Sequence, residues 1–197
     1  GAPVEWIWLL HDDSAPSANA LELMLELADE MPSADVIGPK LLGWDNHRAL
    51  VEVGLTVDRG GRRETGLEPD ELDHGQHDGD RDVLAVSTAG MLVRREVWES
   101  LRGLDRGLPL FRDDLDFGWR ANLAGHRVVL CTRAVVYHAE AAAGGVRHID
   151  AGTPYRRRLD RQAALRTMLA NASAPWLPWI AVRLFVASCL RAIAFVG

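Results

Sequence analysis

The chain has 197 residues, 48% of them apolar, enough for one sizeable core and not for two. Its formal net charge of −6 and pI near 5.6 argue against a general nucleic-acid binder, whose footprint is basic. Cys131 and Cys189 are far apart and form no CxxC or finger spacing, so neither structural zinc nor a disulfide framework is expected.

Residues 6–10 are short, apolar and aromatic, as a buried strand is. They run into His11-Asp12-Asp13-Ser14 and then Pro16. Ser17 is placed to cap a helix over 18–31, which carries Leu21, Leu23, Leu25 and Leu27 and ends at Pro32. Residues 35–38 read as a second strand and 51–57 as a third. Residues 59–82 are rich in Gly, Arg, Asp, Glu and His, and read as a long exposed loop without a rigid scaffold. Apolar character returns over 83–93, with Gly90 in the middle. A short helix over 94–101 is closed by Gly103, and a second over 114–124 by Gly125. Residues 128–131 and 134–137 are strand-like. Alternation of strands and helices predicts an α/β sandwich with a largely parallel sheet. A basic helix over 155–170 and an apolar stretch over 175–196 complete the chain.

Two segments concentrate acid. His11-Asp12-Asp13 follows a strand, the end at which open α/β sheets bind ligands. Two carboxylates there suit a hard divalent cation, and the adjacent imidazole shifts preference toward manganese. Asp and Ser are also ordinary turn and capping residues. Asp113-Asp114-Leu115-Asp116 opens a helix, where acid complements the dipole. Its neighbours Phe111, Leu115, Phe117 and Trp119 are apolar, and a sheltered carboxylate has a raised pKa and can act as a general base. His138, at a strand end, becomes a metal candidate only if the fold carries it to Asp13. His74 and His77 lie in the polar loop and read as surface histidines.

The order and spacing of these segments, with STAGMLVRRE at 87–96, FRDDLDFGWRANLAGHRV at 111–128 and VVYHAE at 135–140, resemble the family 2 glycosyltransferases of GT-A fold. The closest likeness is to bacterial rhamnosyl- and galactofuranosyltransferases. The resemblance implies a GT-A-like (Rossmann-like) mixed sheet with flanking helices. It places Asp12 and Asp13 at the nucleotide-sugar diphosphate, and a divalent metal (Mn²⁺ or Mg²⁺) on Asp13, His138 and His11, with His11 standing where the family has an acid. Asp114 falls on the family's general base. Thr88, Ala89, Gly90, Asp113, Asp116, Trp119 and Arg120 fall on the acceptor side. The implied reaction is an inverting transfer from a nucleoside-diphosphate sugar to a hydroxyl of a glycan or lipid-linked acceptor.

The resemblance also implies that residues 1–150 are the metal and acceptor part of a GT-A domain whose nucleotide-binding half would precede Val4, so that this piece alone would be inactive. Residues 151–174 would be a basic helical linker. Residues 175–197 are about long enough to cross a bilayer. Arg183 and Arg191 interrupt them, and a charge near mid-membrane costs about 2.5–3.5 kcal/mol. An interfacial helix is therefore as good a reading as a span, with the domain on the cytoplasmic face of the membrane. Two other readings stay open on the residues alone. One is a metal-dependent phosphoryl or nucleotidyl transferase using the same carboxylates. The other is a membrane-associated interaction domain whose acids only cap a helix.

Overall fold

The structure, a computed structural model, describes residues 5–58, 61–108, 111–139 and 153–196. In chain order its elements are β1 (Trp6–Trp8), β2 (Ser14–Pro16), α1 (Ala20–Glu30), β3 (Ala34–Gly43), β4 (Leu50–Glu52), β5 (Thr56–Val57), β6 (Arg63–Glu64), β7 (Arg81–Asp82), β8 (Leu92–Arg94), α2 (Arg95–Ser100), α3 (Asp113–Leu123), β9 (Arg127–His138), α4 (Thr153–Asn171) and α5 (Leu177–Val196). The main sheet runs β1-β8-β3-β9-β2, with β4 added to β3 and β7 to β9.

Side-chain alternation along the central strands builds a core on each face of this sheet. Ile37, Leu92 and Val129 point to α1, where Met24 and Leu27 meet them. Their chain neighbours Val36, Val93 and Val128 point the other way, to Val97 of α2 and Phe117 and Ala121 of α3. Helices thus cover both faces, and α3 is pressed against the sheet. Gly118 makes that contact possible: a Cβ there would lie 2.6 Å from Leu84 O and 2.6 Å from Ala85 Cα.

The sheet is mixed, and the expectation of a largely parallel one is corrected. Among the described residues only β3 and β9 run parallel. The other pairings, β1–β8, β3–β8, β3–β4, β2–β9 and β7–β9, are antiparallel. The connection from β3 to β8 runs through residues 44–91 with no α-helix among the described residues, so no crossover returns the chain in the same direction. The two strands expected at 128–131 and 134–137 are one strand, β9, with a register shift opposite Pro39/Lys40. Pro39 lacks the N–H that would continue the ladder. Thr132, in the bulged stretch, instead receives Gly79 N–H on its hydroxyl and gives its own N–H to Asp80.

Residues 61–82 also depart from expectation. They fold onto the sheet edge largely through polar ties, with Leu67 packing on the Leu42–Leu50–Val53–Leu130 cluster. Arg63 and Glu64 pair with Val57 and Thr56. The buried Lys40 ammonium reaches Asp73 at 2.9 Å and also Asp78, and Glu71 holds His77 at 2.7 Å. Ser17 does not cap α1; its hydroxyl bonds Asn19, and the helix starts at Ala20. The helix expected to link the domain onward, α4, docks on α3 through Asn171–Asp116 (2.8 Å) and Arg112–Asp160 (2.8 Å). The apolar stretch forms α5 as expected, but no helix among the described residues is long and apolar enough to cross a membrane. The expected boundary near residue 150 and His148 lie outside the described residues.

Candidate active site

His11 and Asp13 sit in the turn between β1 and β2. Ser14 shapes that turn, giving both its N–H and its hydroxyl to His11 O. The antiparallel register of β2 against β9 then sets Ser14 opposite His138. Ala139 N–H bonds Asp13 O at 3.0 Å, so His138 is held beside Asp13.

Three side chains converge there. His138 Nε2 lies 3.3 Å from Asp13 Oδ1 and 3.3 Å from His11 Nδ1, and His11 Nδ1 lies 3.9 Å from Asp13 Oδ1. One donor atom from each falls within 4.8 Å of the others. A carboxylate and two imidazoles at this spacing fit a divalent transition ion better than magnesium. Asp12 is exposed and is not one of the three. The far nitrogen of His11, Nε2, bonds Thr88 Oγ1 at 2.9 Å.

α3 presents its acidic first turn to the same region. Burial, then the adjacent Asp114 carboxylate, push the Asp113 carboxyl above the ordinary range. The Asp114 carboxylate accepts Leu115 N–H on Oδ1 at 2.6 Å, and its Oδ2 lies 3.6 Å from Arg63. The α3 N-cap, Arg112, is left-handed at φ 64, a conformation that side-chain-bearing residues seldom adopt.

Other residues expected on the acceptor side are spent internally. Asp116 is 2% exposed and is tied to Arg120 (2.7 Å) and Asn171 (2.8 Å). Arg120 also caps the carbonyls of Leu101 and Gly103. Ala89 is buried against Leu41 and Val136. A Cβ on Gly90 would lie 2.5 Å from Pro39 Cγ. Trp119 is half-buried on α3.

Sequence reasoning missed Glu52 and Arg63. Glu52, 3% exposed, accepts Ser87 N–H at 2.9 Å on one oxygen and Arg63 at 2.6 Å on the other. Arg63 in turn faces Asp114. A bonded path therefore joins the loop carrying Thr88 to the start of α3. A glutamate at an inward position of an alternating strand was the available signal.

A mixed sheet covered by helices on both faces resembles the GT-A fold. Residues 2–154 match the family described as "Glycosyltransferase like family 2", and the chain belongs to that family. Among curated proteins it is similar to the "O-antigen biosynthesis protein RfbC" of Myxococcus xanthus, 34% identical over 119 residues. That match takes in 57% of this chain, and the chain spans only 9% of that relative's length. Among solved structures it is similar to GalNAc-T7, crystallised with UDP, GalNAc and Mn²⁺, at a TM-score of 0.52 and 13% identity. That likeness covers 68% of this chain and 27% of the other, and speaks for the fold.

Proposed function

We propose that the protein transfers a sugar, with inversion, from a nucleoside-diphosphate sugar to a hydroxyl of a cell-envelope glycan or lipid-linked acceptor. The observation that carries this reading is the convergence of His11, Asp13 and His138 at strand ends. A relative named for O-antigen biosynthesis and a fold neighbour crystallised with UDP, GalNAc and Mn²⁺ support it.

In this reading His11, Asp13 and His138 hold a divalent cation, Mn²⁺ by preference or Mg²⁺, and Asp12 and Asp13 face the donor diphosphate. A bound cation there supplies neutralisation of the charge that grows on the departing diphosphate. Asp114 takes the proton of the attacking hydroxyl through Oδ2, because Oδ1 is engaged with Leu115 N–H. Asp113, beside it, orients the acceptor. A second assignment exchanges the two carboxylates. The raised pKa of Asp113, caused by burial and then by the adjacent Asp114, favours it, since a base works best when its pKa approaches the working pH.

The proposed location is the cytoplasmic face of the membrane. Support comes from exposed Trp176, Trp179 and Phe185 at the start of and along α5, with exposed Arg158 and Arg161 on α4. Sedimentation with anionic vesicles tests this part separately.

The deciding experiment titrates the full-length protein with Mn²⁺ and UDP- or dTDP-sugars. It then compares turnover of Asp114→Asn and Asp113→Asn and reads the anomeric configuration of the product. Loss of one carboxylate base lowers turnover by roughly 10²–10⁴. Retained configuration, absence of sugar-nucleotide binding, or near-normal turnover in both variants would each defeat the reading.

A further inference from the structure

The His11–Thr88 contact links two segments that the proposed reaction uses for different purposes. Thr88 belongs to the loop on the acceptor side, yet it is 5% exposed and its hydroxyl is directed at His11. The loop is firmly seated. Ser87 N–H goes to Glu52 and Ala89 N–H to Ser87 Oγ. Trp8 Nε1–H reaches Gly90 O at 3.2 Å, and Leu9 N–H reaches Met91 O at 2.8 Å. Thr88 Oγ1 is therefore a fixed point.

His11 is the opposite case. Its side chain is 40% exposed and stands in a turn, where an unrestrained ring would sample several rotamers. Anchored at Nε2 by the Thr88 hydroxyl, the ring turns Nδ1 toward Asp13 and His138.

We propose that Thr88 is a positioning residue for the cation site: its hydroxyl fixes the ring orientation of His11 so that Nδ1 is presented beside Asp13 and His138. The proposal rests on the cation reading above and extends it by assigning an outer partner from the acceptor loop. It also removes the Thr88 hydroxyl from direct acceptor recognition.

Calorimetric titration with Mn²⁺ alone tests this on wild type, Thr88→Val, Thr88→Ser, His11→Ala and the Thr88→Val/His11→Ala double variant. Loss of an outer-shell partner typically lowers metal affinity about 10–100-fold. Thr88→Val is expected to weaken Mn²⁺ binding by that factor, Thr88→Ser to restore it, and the effect of Thr88→Val to vanish once His11 is alanine. Urea unfolding checks that the variants remain folded. Unchanged affinity in Thr88→Val, or an equal loss in the His11→Ala background, overturns the proposal while leaving the cation reading intact. A wild-type protein that binds no Mn²⁺ overturns both.

Discussion

Arg112 and Asp160 join the start of the acidic helix to the helix that follows the sheet. Arg112 Nε donates to Asp160 Oδ1 at 2.8 Å, while its Nη1 reaches Gly61 O at 2.7 Å. The same residue holds the left-handed backbone immediately before Asp113 and Asp114. Three segments distant in sequence thus meet at one guanidinium that is nearly buried.

Two substitutions separate the side chain from the backbone there. Asp160 is half exposed, so Asp160→Ala should cost between the roughly 1 kcal/mol of an exposed pair and the roughly 3 kcal/mol of a buried one. Arg112→Ala loses the same tie and keeps the strained backbone. Arg112→Gly loses the tie but relieves backbone strain of about 1–3 kcal/mol. Urea unfolding should therefore rank Arg112→Gly above Arg112→Ala in stability; the reverse order would show that the left-handed conformation is not retained.

Glu52 joins the Thr88 loop to Asp114 by way of Arg63. Glu52→Ala leaves Ser87 N–H buried without its acceptor, a loss of about 1–3 kcal/mol. Arg63 is about one-third exposed and can turn to water, which keeps the cost near the lower figure. Glu52→Gln retains a carbonyl for Ser87 and should lose less. If the path positions Asp114, turnover falls by up to roughly 10²-fold in Glu52→Ala, as for a misplacement of about 1 Å, with substrate affinity little changed. Steady-state kinetics that show a pure affinity loss would assign Glu52 to substrate binding.

Gly118→Ala sets two magnitudes against each other. Helix propensity favours alanine by about 1 kcal/mol. Overpacking against the main chain at Leu84 and Ala85 costs about 1–3 kcal/mol, and backbone atoms yield less readily than side-chain tips. Net destabilisation is expected, visible as a lower urea midpoint. A rise in stability would mean that α3 stands further from the sheet than described.

The raised pKa of Asp113 makes a pH prediction. Burial and Asp114 favour its protonated form in the folded protein, so between the ordinary carboxylate value and the raised one the native state binds more protons than the unfolded state. Stability contributed by this group therefore falls as pH rises through that window. In chelator-containing buffer, Asp113→Asn should stabilise the protein at neutral pH and lose that advantage on acidification toward the ordinary carboxylate range. An advantage that is independent of pH would implicate something other than ionisation.

Much of this was legible in the chain itself. The apolar runs in β3, β8 and β9, the glycine stops after α2 and α3, and the acid at the first turn of α3 are local signals. Each reflects what a strand face or a helix end requires of its own residues. The spacing of the acidic and histidine motifs also carried the resemblance that the family match bears out. Strand direction was not legible, because alternation records burial and says nothing about which neighbour a strand meets. Residues 61–82 were misread for a related reason: they are ordered by ion pairs and hydrogen bonds to Lys40, Arg48 and Thr132, which leave no apolar trace.

The sequence by itself determined which residues could do the chemistry: His11, Asp13, Asp113, Asp114 and His138 stand at element ends because local propensities put them there. Only the tertiary structure decided which of them lie together. The β2–β9 register brings His138 to Asp13, and His11 and His138 meet across 127 positions of chain. Glu52 and Arg63 reach α3 through a path that no local pattern announces, while Asp116 and Arg120 are diverted to hold α3 in place. The physical reason is that long-range register is set by the summed fit of two whole strands and their covering helices, a property that no single segment contains.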